Sequence, residues 1–342
     1  MRDFNKIAGC LIGGAAGDAL GYAVEFEDES EIFKTYGEGG IRQYALSGGK
    51  AVISDDTQMT LFTAEGILAA KDPYDYTEYI LGMYDAYQSW LKTQQFSNKK
   101  TKKAFWLNDI PELNKRRAPG NTCLMALRSH GMGCIDEPIN NSKGCGGVMR
   151  VAPIGLYYSP DRQSLQKTDM WGAQAAALTH GHPLGYIPAA GLVHIVNLAM
   201  YKSEMMLKEI VDDMIREVTE LFMEAAPGYS RNFQELMEKA VRLAVEQTDV
   251  DDLTAIHELG EGWVAEETLA IAIYCSLRHA DDFDAALIAA VNHKGDSDST
   301  GAVTGNILGA YLGLEKIPKK YTENLELVDV LEKVARELEK GK

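Results

Sequence analysis

The sequence predicts an all-α fold, and three observations support that prediction. Apolar residues recur at three- and four-residue spacing through much of the chain, as one face of a helix requires. Alternating runs of β-branched residues, which mark half-buried strands, are scarce. Alanine-rich stretches are long, and only 10 prolines interrupt 342 residues. The helical spacing covers Thr57 to Ala70, Tyr76 to Leu91, Leu207 to Ala225, Phe233 to Gln247, Glu266 to His279 and Asp329 to Lys340. Val151 to Tyr158 is a candidate strand with no evident partner. No linker or composition break divides the chain, so residues 1–342 are expected to form a single compact multi-helix domain, its helices packed orthogonally.

Glycines add a second helical pattern. Gly9, Gly13, Gly17 and Gly21 are spaced by four, as are Gly301, Gly305, Gly309 and Gly313. That spacing lines each set along one face, where two backbones can approach closely. Each interior glycine costs roughly 0.5–1 kcal/mol against alanine, so tight helix packing or the floor of a site must offset it.

Composition narrows the function classes. The chain carries 34 Lys and Arg against 50 Asp and Glu, a net charge of −16, with 46% hydrophobic and 25% charged residues. This is ordinary globular composition, and the acid surplus disfavours a protein that grips nucleic-acid phosphates or an anionic membrane. Acidic side chains are also ligands for hard cations. Cysteines at 10, 123, 134, 145 and 275 form no C-x-x-C pair, which argues against a disulfide framework or a structural zinc site and suits a reducing compartment. The N-terminal run superficially resembles a signal peptide, but Asp3 and Asp18 spoil it. The best membrane candidate, Ile187 to Met200, is short and interrupted by His194 and Asn197. A soluble, cytoplasmic protein is expected. The basic run Ser97 to Lys103 reads as a solvated loop.

The most informative segments are Ser54-Asp55-Asp56-Thr57 and Gly295-Asp296-Ser297-Asp298-Ser299-Thr300-Gly301. Each directly precedes or opens a helical pattern. Either alone is as well explained by helix capping as by metal binding. Capping needs one such residue, however, not two carboxylates with hydroxyls in both places. Together they favour hard divalent cations, Mg²⁺ or Mn²⁺, which take carboxylate, hydroxyl and water oxygens. Crowded without a cation, these acids would repel one another and titrate high. The EF-hand spacing for calcium is absent.

Five ordered blocks then resemble the ADP-ribosylglycohydrolases of the dinitrogenase-reductase-activating type. They are GAAGDALGYAVEF (Gly14 to Phe26), SDDT (Ser54 to Thr57), GCGGVMRVAPIGL (Gly144 to Leu156), LTHGHPLG (Leu178 to Gly185) and GDSDSTGAVTGNILGA (Gly295 to Ala310), with LGEGWVAEETLA (Leu259 to Ala270) a weaker sixth. The resemblance implies an all-α fold, a binuclear Mg²⁺ or Mn²⁺ cleft and hydrolysis of the bond at C1″ of ADP-ribose. It implies metal ligation by Ser54, Asp55, Asp56, Asp296, Asp298 and Ser299. Catalytic roles fall to Asp55, Asp56 and Glu25, the last as acid/base or metal-bridging group; Asp18 is either a supporting acid or a helix-terminus residue.

The resemblance also implies substrate contacts from the Gly144-Cys145-Gly146 loop at the diphosphate, from His180 near the ribose–phosphate and from Trp263 beside the adenine. Gly120 and Asn121, after Arg116 and Arg117, belong to a loop bordering the cleft. Cys145 is read as a loop residue, not a nucleophile, because no base accompanies it. The serine-type SDDT and GDSDST motifs look more like the arginine-linked branch, so an ADP-ribosyl-arginine or related guanidino conjugate is favoured, on a protein or a small molecule, with ADP-ribose as product. The rivals are O-linked ADP-ribose on serine, acetyl esters or nucleic acid, a two-metal nucleotide phosphohydrolase, and a non-catalytic ADP-ribose-binding module.

Overall fold

A computed structural model describes residues 2–95, 105–129 and 131–341. The basic run at 97–103 lies outside the described residues. In chain order the helices are α1 Phe4–Gly21, α2 Glu29–Tyr36, α3 Asp55–Ala69, α4 Tyr76–Thr93, α5 Asn121–Arg128, α6 Ala152–Tyr157, α7 Leu165–Ala177, α8 Pro183–Tyr201, α9 Leu207–Met223, α10 Pro227–Val245, α11 Asp252–Leu259, α12 Ala265–Arg278, α13 Phe283–Val291, α14 Ser297–Leu312 and α15 Val328–Lys340. Among the described residues there is no β-sheet, only isolated bridges such as Gly144 with Val264. The all-α expectation holds.

Two kinds of helix build this fold. The helices α9, α10 and α15 are one-sided: α9 buries Ile210, Val211, Met214, Ile215, Val218 and Phe222 and turns its acids outward. These are the segments in which helical periodicity is plainest. By contrast α1, α3, α8 and α14 are buried almost all round. A helix apolar on every face belongs in a core. The central α8 packs against α6, α7, α9, α10, α12 and α14. It runs 19 residues, longer than the Ile187 to Met200 stretch, and its most apolar window is 94% buried inside the fold.

The segment Val151 to Tyr158 is not a strand. Residues Ala152–Tyr157 form α6, with Pro153 in its first turn, and all six are buried. Buried on every side, such a short run has no helical periodicity to read, and its apolar residues imitate a strand.

The two glycine sets meet each other. Antiparallel α1 and α14 pair Gly9 with Gly309, Gly13 with Gly305, and Gly17 with Gly301. A Cβ added to Gly13 would lie 2.5 Å from the Gly305 carbonyl oxygen, and one on Gly17 would overlap the Gly301 carbonyl. One step further along, Gly21 faces the Ser297 backbone, and at the other end Gly313 faces Asn5. Tight packing thus accounts for the glycines. Its consequence for the site is that the C-terminal end of α1 lies against the N-terminal end of α14.

Candidate active site

Three helix ends converge beside that seam. Asp296 caps α14, Asp55 and Asp56 open α3, and the turn after α1 carries Glu25. The N-termini of α3 and α14 aim their free N–H groups and positive dipole ends at the same place, which partly offsets the gathered negative charge. Their side chains line one cleft: Glu25, Asp55, Asp56, Asp296, Asp298 and Ser299 on the acidic side, with Gly120, Asn121, Gly144, Cys145, Gly146, His180 and Trp263 around it. Of the residues expected to ligate metal, catalyse or contact substrate, Ser54 alone stands behind the lining; Asp18, Arg116 and Arg117 also lie outside it. Ser54 is fully buried, its Oγ accepts the Asp56 N–H at 3.2 Å and so caps α3.

The acids are held from several directions. Asp18, near the end of α1, accepts the Ser54 N–H at 2.8 Å on Oδ1 and the Thr57 N–H at 3.0 Å on Oδ2, and the Thr57 hydroxyl also donates to it. It therefore anchors the start of α3 rather than stabilising its own helix. Asp55 donates its N–H to the Arg117 carbonyl at 3.0 Å and accepts the Gly120 N–H at 3.1 Å, so the loop after Arg117 clamps it at both ends. Arg117 in turn pairs with Glu326 at 3.1 Å, whose other oxygen accepts the Ile53 N–H at 3.4 Å. Glu326 lies in an acidic C-terminal stretch, yet it is buried. Its partners lie more than 200 residues away, so no local signal marks it.

Electrostatically the cluster is frustrated by itself. Burial, then Asp296 and Asp55, push the Glu25 carboxyl up to about 9. Burial chiefly, with Asp18 and Asp296 adding to it, pushes Asp55 to about 8. Asp56 and Asp298 are driven well above the carboxylate range by burial and by their neighbours. Oxygens of Glu25, Asp296 and Asp298 lie within 4.8 Å of one another. Glu25 Oε2 and Asp56 Oδ2 are buried without a hydrogen-bond partner. Buried acceptors are rarely left bare, and each costs about 1–3 kcal/mol. A hard divalent cation would satisfy them, and the donor set of carboxylates and hydroxyl oxygen suits one.

The facing wall is neutral. Cys145 donates its S–H to Asp296 Oδ2 at 2.7 Å and its N–H to the Trp263 carbonyl at 3.2 Å. Burial, then Asp296 and Asp56, raise its thiol well above the usual range. It is a hydrogen-bond donor to a cleft acid, in keeping with a non-nucleophilic loop residue. His180 is buried, and desolvation followed by Arg150 lowers its imidazole to about 3. A Cβ on Gly146 would lie 3.0 Å from His180 Cε1 and 2.9 Å from Cys123 Sγ, so that glycine lets the loop close onto the ring. His182 lies outside the lining: its Nδ1 accepts the Leu184 N–H at 3.0 Å and caps α8. Trp263 is 41% exposed at the rim and stacks on Phe26, itself 74% exposed, with centroids 6.5 Å apart. Ala118, Thr122, Cys123 and Met149 also line the cleft. As small or apolar residues they carry no chemical signal in sequence.

Comparison with known proteins identifies the family. The family profile for ADP-ribosylglycohydrolases matches residues 1–342. The chain is 26% identical over 378 residues to ADP-ribosylhydrolase ARH3 of Bos taurus, covering 98% of this chain and 93% of that protein. It is 25% identical over 342 residues to the ADP-ribosyl-dinitrogen reductase glycohydrolase of Rhodospirillum rubrum, covering 98% and 93%. A solved structure named as an ADP-ribosylglycohydrolase-related protein complex shares the fold, with TM-score 0.61, 23% identity and 98% of both chains covered. Matched along its whole length, the chain belongs to the ADP-ribosylglycohydrolase family and is an ADP-ribosyl glycohydrolase.

Proposed function

We propose that this enzyme removes ADP-ribose from modified targets by hydrolysing the bond at C1″ of the distal ribose, with arginine or another guanidino conjugate as the preferred partner. The observation that carries the reading is the pair of buried, unpartnered oxygens, Glu25 Oε2 and Asp56 Oδ2, in a cleft lined by three further carboxylates. Asp55, Asp56, Asp296, Asp298, Ser299 and Glu25 would hold two divalent cations, Mg²⁺ or Mn²⁺, which when bound would supply Lewis-acid orientation of the ribose and activation of a water.

The chain's own residues supply the remainder. Glu25 places a carboxyl oxygen in the cleft, where it can carry a proton to or from the leaving group or a ribose oxygen. The surrounding carboxylates oppose the positive charge that develops at an anomeric carbon. Asp18 and the loop after Arg117 fix Asp55 and Asp56, so little reorganisation is needed. The Gly144 to Gly146 backbone offers an approach for the diphosphate without side-chain obstruction. The Trp263 indole gives the adenine a face to stack on. Preference for arginine rests on the serine-type motifs Ser54-Asp55-Asp56-Thr57 and Asp296-Ser297-Asp298-Ser299.

The test is a panel of ADP-ribosyl-arginine, ADP-ribosyl-serine and O-acetyl-ADP-ribose, with products identified by mass. The reading predicts free ADP-ribose from all active members and the highest kcat/KM on the arginine conjugate. A higher kcat/KM on an O-linked member would overturn the linkage, and a phosphate product would favour the phosphohydrolase.

A further inference from the structure

Arg150 is completely buried, yet among the described residues no carboxylate lies within ion-pair distance of its guanidinium. Its Nη1 faces the sulfurs of Cys123 at 3.4 Å and Met59 at 3.6 Å, and the Tyr87 ring lies 4.2 Å away. Its Nη2 donates to the Ala175 carbonyl at 3.0 Å and to Thr179 Oγ1 at 2.8 Å. A guanidinium has no acceptor, so Thr179 Oγ1 must accept there, and its single hydroxyl proton goes elsewhere. Its candidate acceptors are the Ala176 carbonyl at 3.4 Å, His180 Nδ1 at 2.8 Å and the Cys123 sulfur, a weak acceptor that already faces the Arg150 guanidinium. Hydroxyl donors bond at up to about 3.0 Å, which decides for the imidazole.

We infer that Arg150 and Thr179 are positioning residues that fix His180 in its Nε2–H tautomer, so that the ring presents a hydrogen-bond donor, not a base, to the cleft. Nδ1 is occupied as an acceptor, and the one remaining ring proton sits on Nε2. The ring lines the cleft, and among the described residues Nε2 has no protein partner. Desolvation and the Arg150 charge keep the imidazole neutral, so the donor does not become an imidazolium in the working range. An N–H fixed in this way selects an oxygen acceptor: a ribose hydroxyl or a phosphate oxygen. That this oxygen belongs to ADP-ribose rests on the proposed function; the tautomer does not.

The experiment uses the full chain with ¹⁵N-labelled histidine and long-range imidazole NMR, the His180 signals being identified by their loss in His180→Asn. The expected result is a protonated Nε2 and a bare Nδ1 in the wild type and in Thr179→Ser, which keeps the hydroxyl. Thr179→Val, which removes it at nearly constant shape, is expected to shift the ring toward the Nδ1–H form and to weaken ADP-ribose binding about 10-fold by calorimetry. A wild-type ring protonated on Nδ1 would overturn the inference, as would an unchanged tautomer in Thr179→Val. Should Thr179→Val fail to fold, the wild-type spectrum decides alone. The expected tautomer in a protein that binds no ADP-ribose would sustain the relay and sink the functional reading instead.

Discussion

Asp18 shows how one side chain can set the geometry of others without facing the cleft. Its two oxygens serve the Ser54 and Thr57 amides and the Thr57 hydroxyl, all of them buried. Replacing it with alanine leaves these donors bare, at about 1–3 kcal/mol for each one that no water reaches. Asp18→Ala is therefore expected to lower unfolding stability by at least about 1 kcal/mol in denaturant titrations. The loss should appear with chelator as well as with Mg²⁺, since the residue acts on the protein backbone. Asp18→Asn, which keeps one acceptor oxygen, should lose less. Equal stability of Asp18→Ala and wild type would refute the anchoring role. At this scale the sequence is legible only in part. The paired acids stand out because capping does not need two carboxylates. Arg150, Thr179, Glu326 and Cys123 do not, because their roles depend on partners that only the tertiary fold supplies.

Among the elements, the packing of α1 on α14 decides where the acids meet. Helices with a solvent face, such as α9 and α15, announce themselves by apolar spacing, whereas α6 and α8 are buried on all sides and show none. The glycine repeats are legible as helical faces, but their pairing is not, since which face meets which is a long-range property. Gly13→Ala tests the seam. In an exposed helix interior that change stabilises by roughly 0.5–1 kcal/mol. Here the new methyl meets the Gly305 carbonyl oxygen at 2.5 Å, so α1 and α14 must separate. A net destabilisation of about 1–3 kcal/mol is expected from chemical unfolding, with catalytic activity reduced as the acids drift apart. A more stable, fully active Gly13→Ala would show that the helices are not in close contact.

For the whole molecule, the net charge of −16 divides between an outer surface and a small buried group of acids. That buried group makes stability depend on pH when cations are absent. Glu25 moves from 4.5 to about 9, and Asp55 from 3.8 to about 8. Between pH 7 and 9 the unfolded chain has both ionised, while the folded chain keeps protons, so the folded state binds more. The stability these groups contribute is accordingly lost as pH rises through their folded values. The melting temperature in chelator should fall from pH 7 to 9, and added Mg²⁺ should flatten the slope by replacing protons with a cation. A flat or rising profile in chelator would contradict the crowded-acid account.

The proposed cation-dependent hydrolysis in the acidic cleft can be tested directly. Its most direct measurement is ADP-ribose release from ADP-ribosyl-arginine, with Mg²⁺ and with chelator, by wild type and Asp298→Ala. Asp298 is buried in the cleft, and removing one of several mutually repelling acids relieves the fold rather than breaking it. The account predicts release by the wild type with Mg²⁺, none with chelator, and none from a folded Asp298→Ala under either condition. Undiminished release with chelator, or full activity in Asp298→Ala, would contradict it.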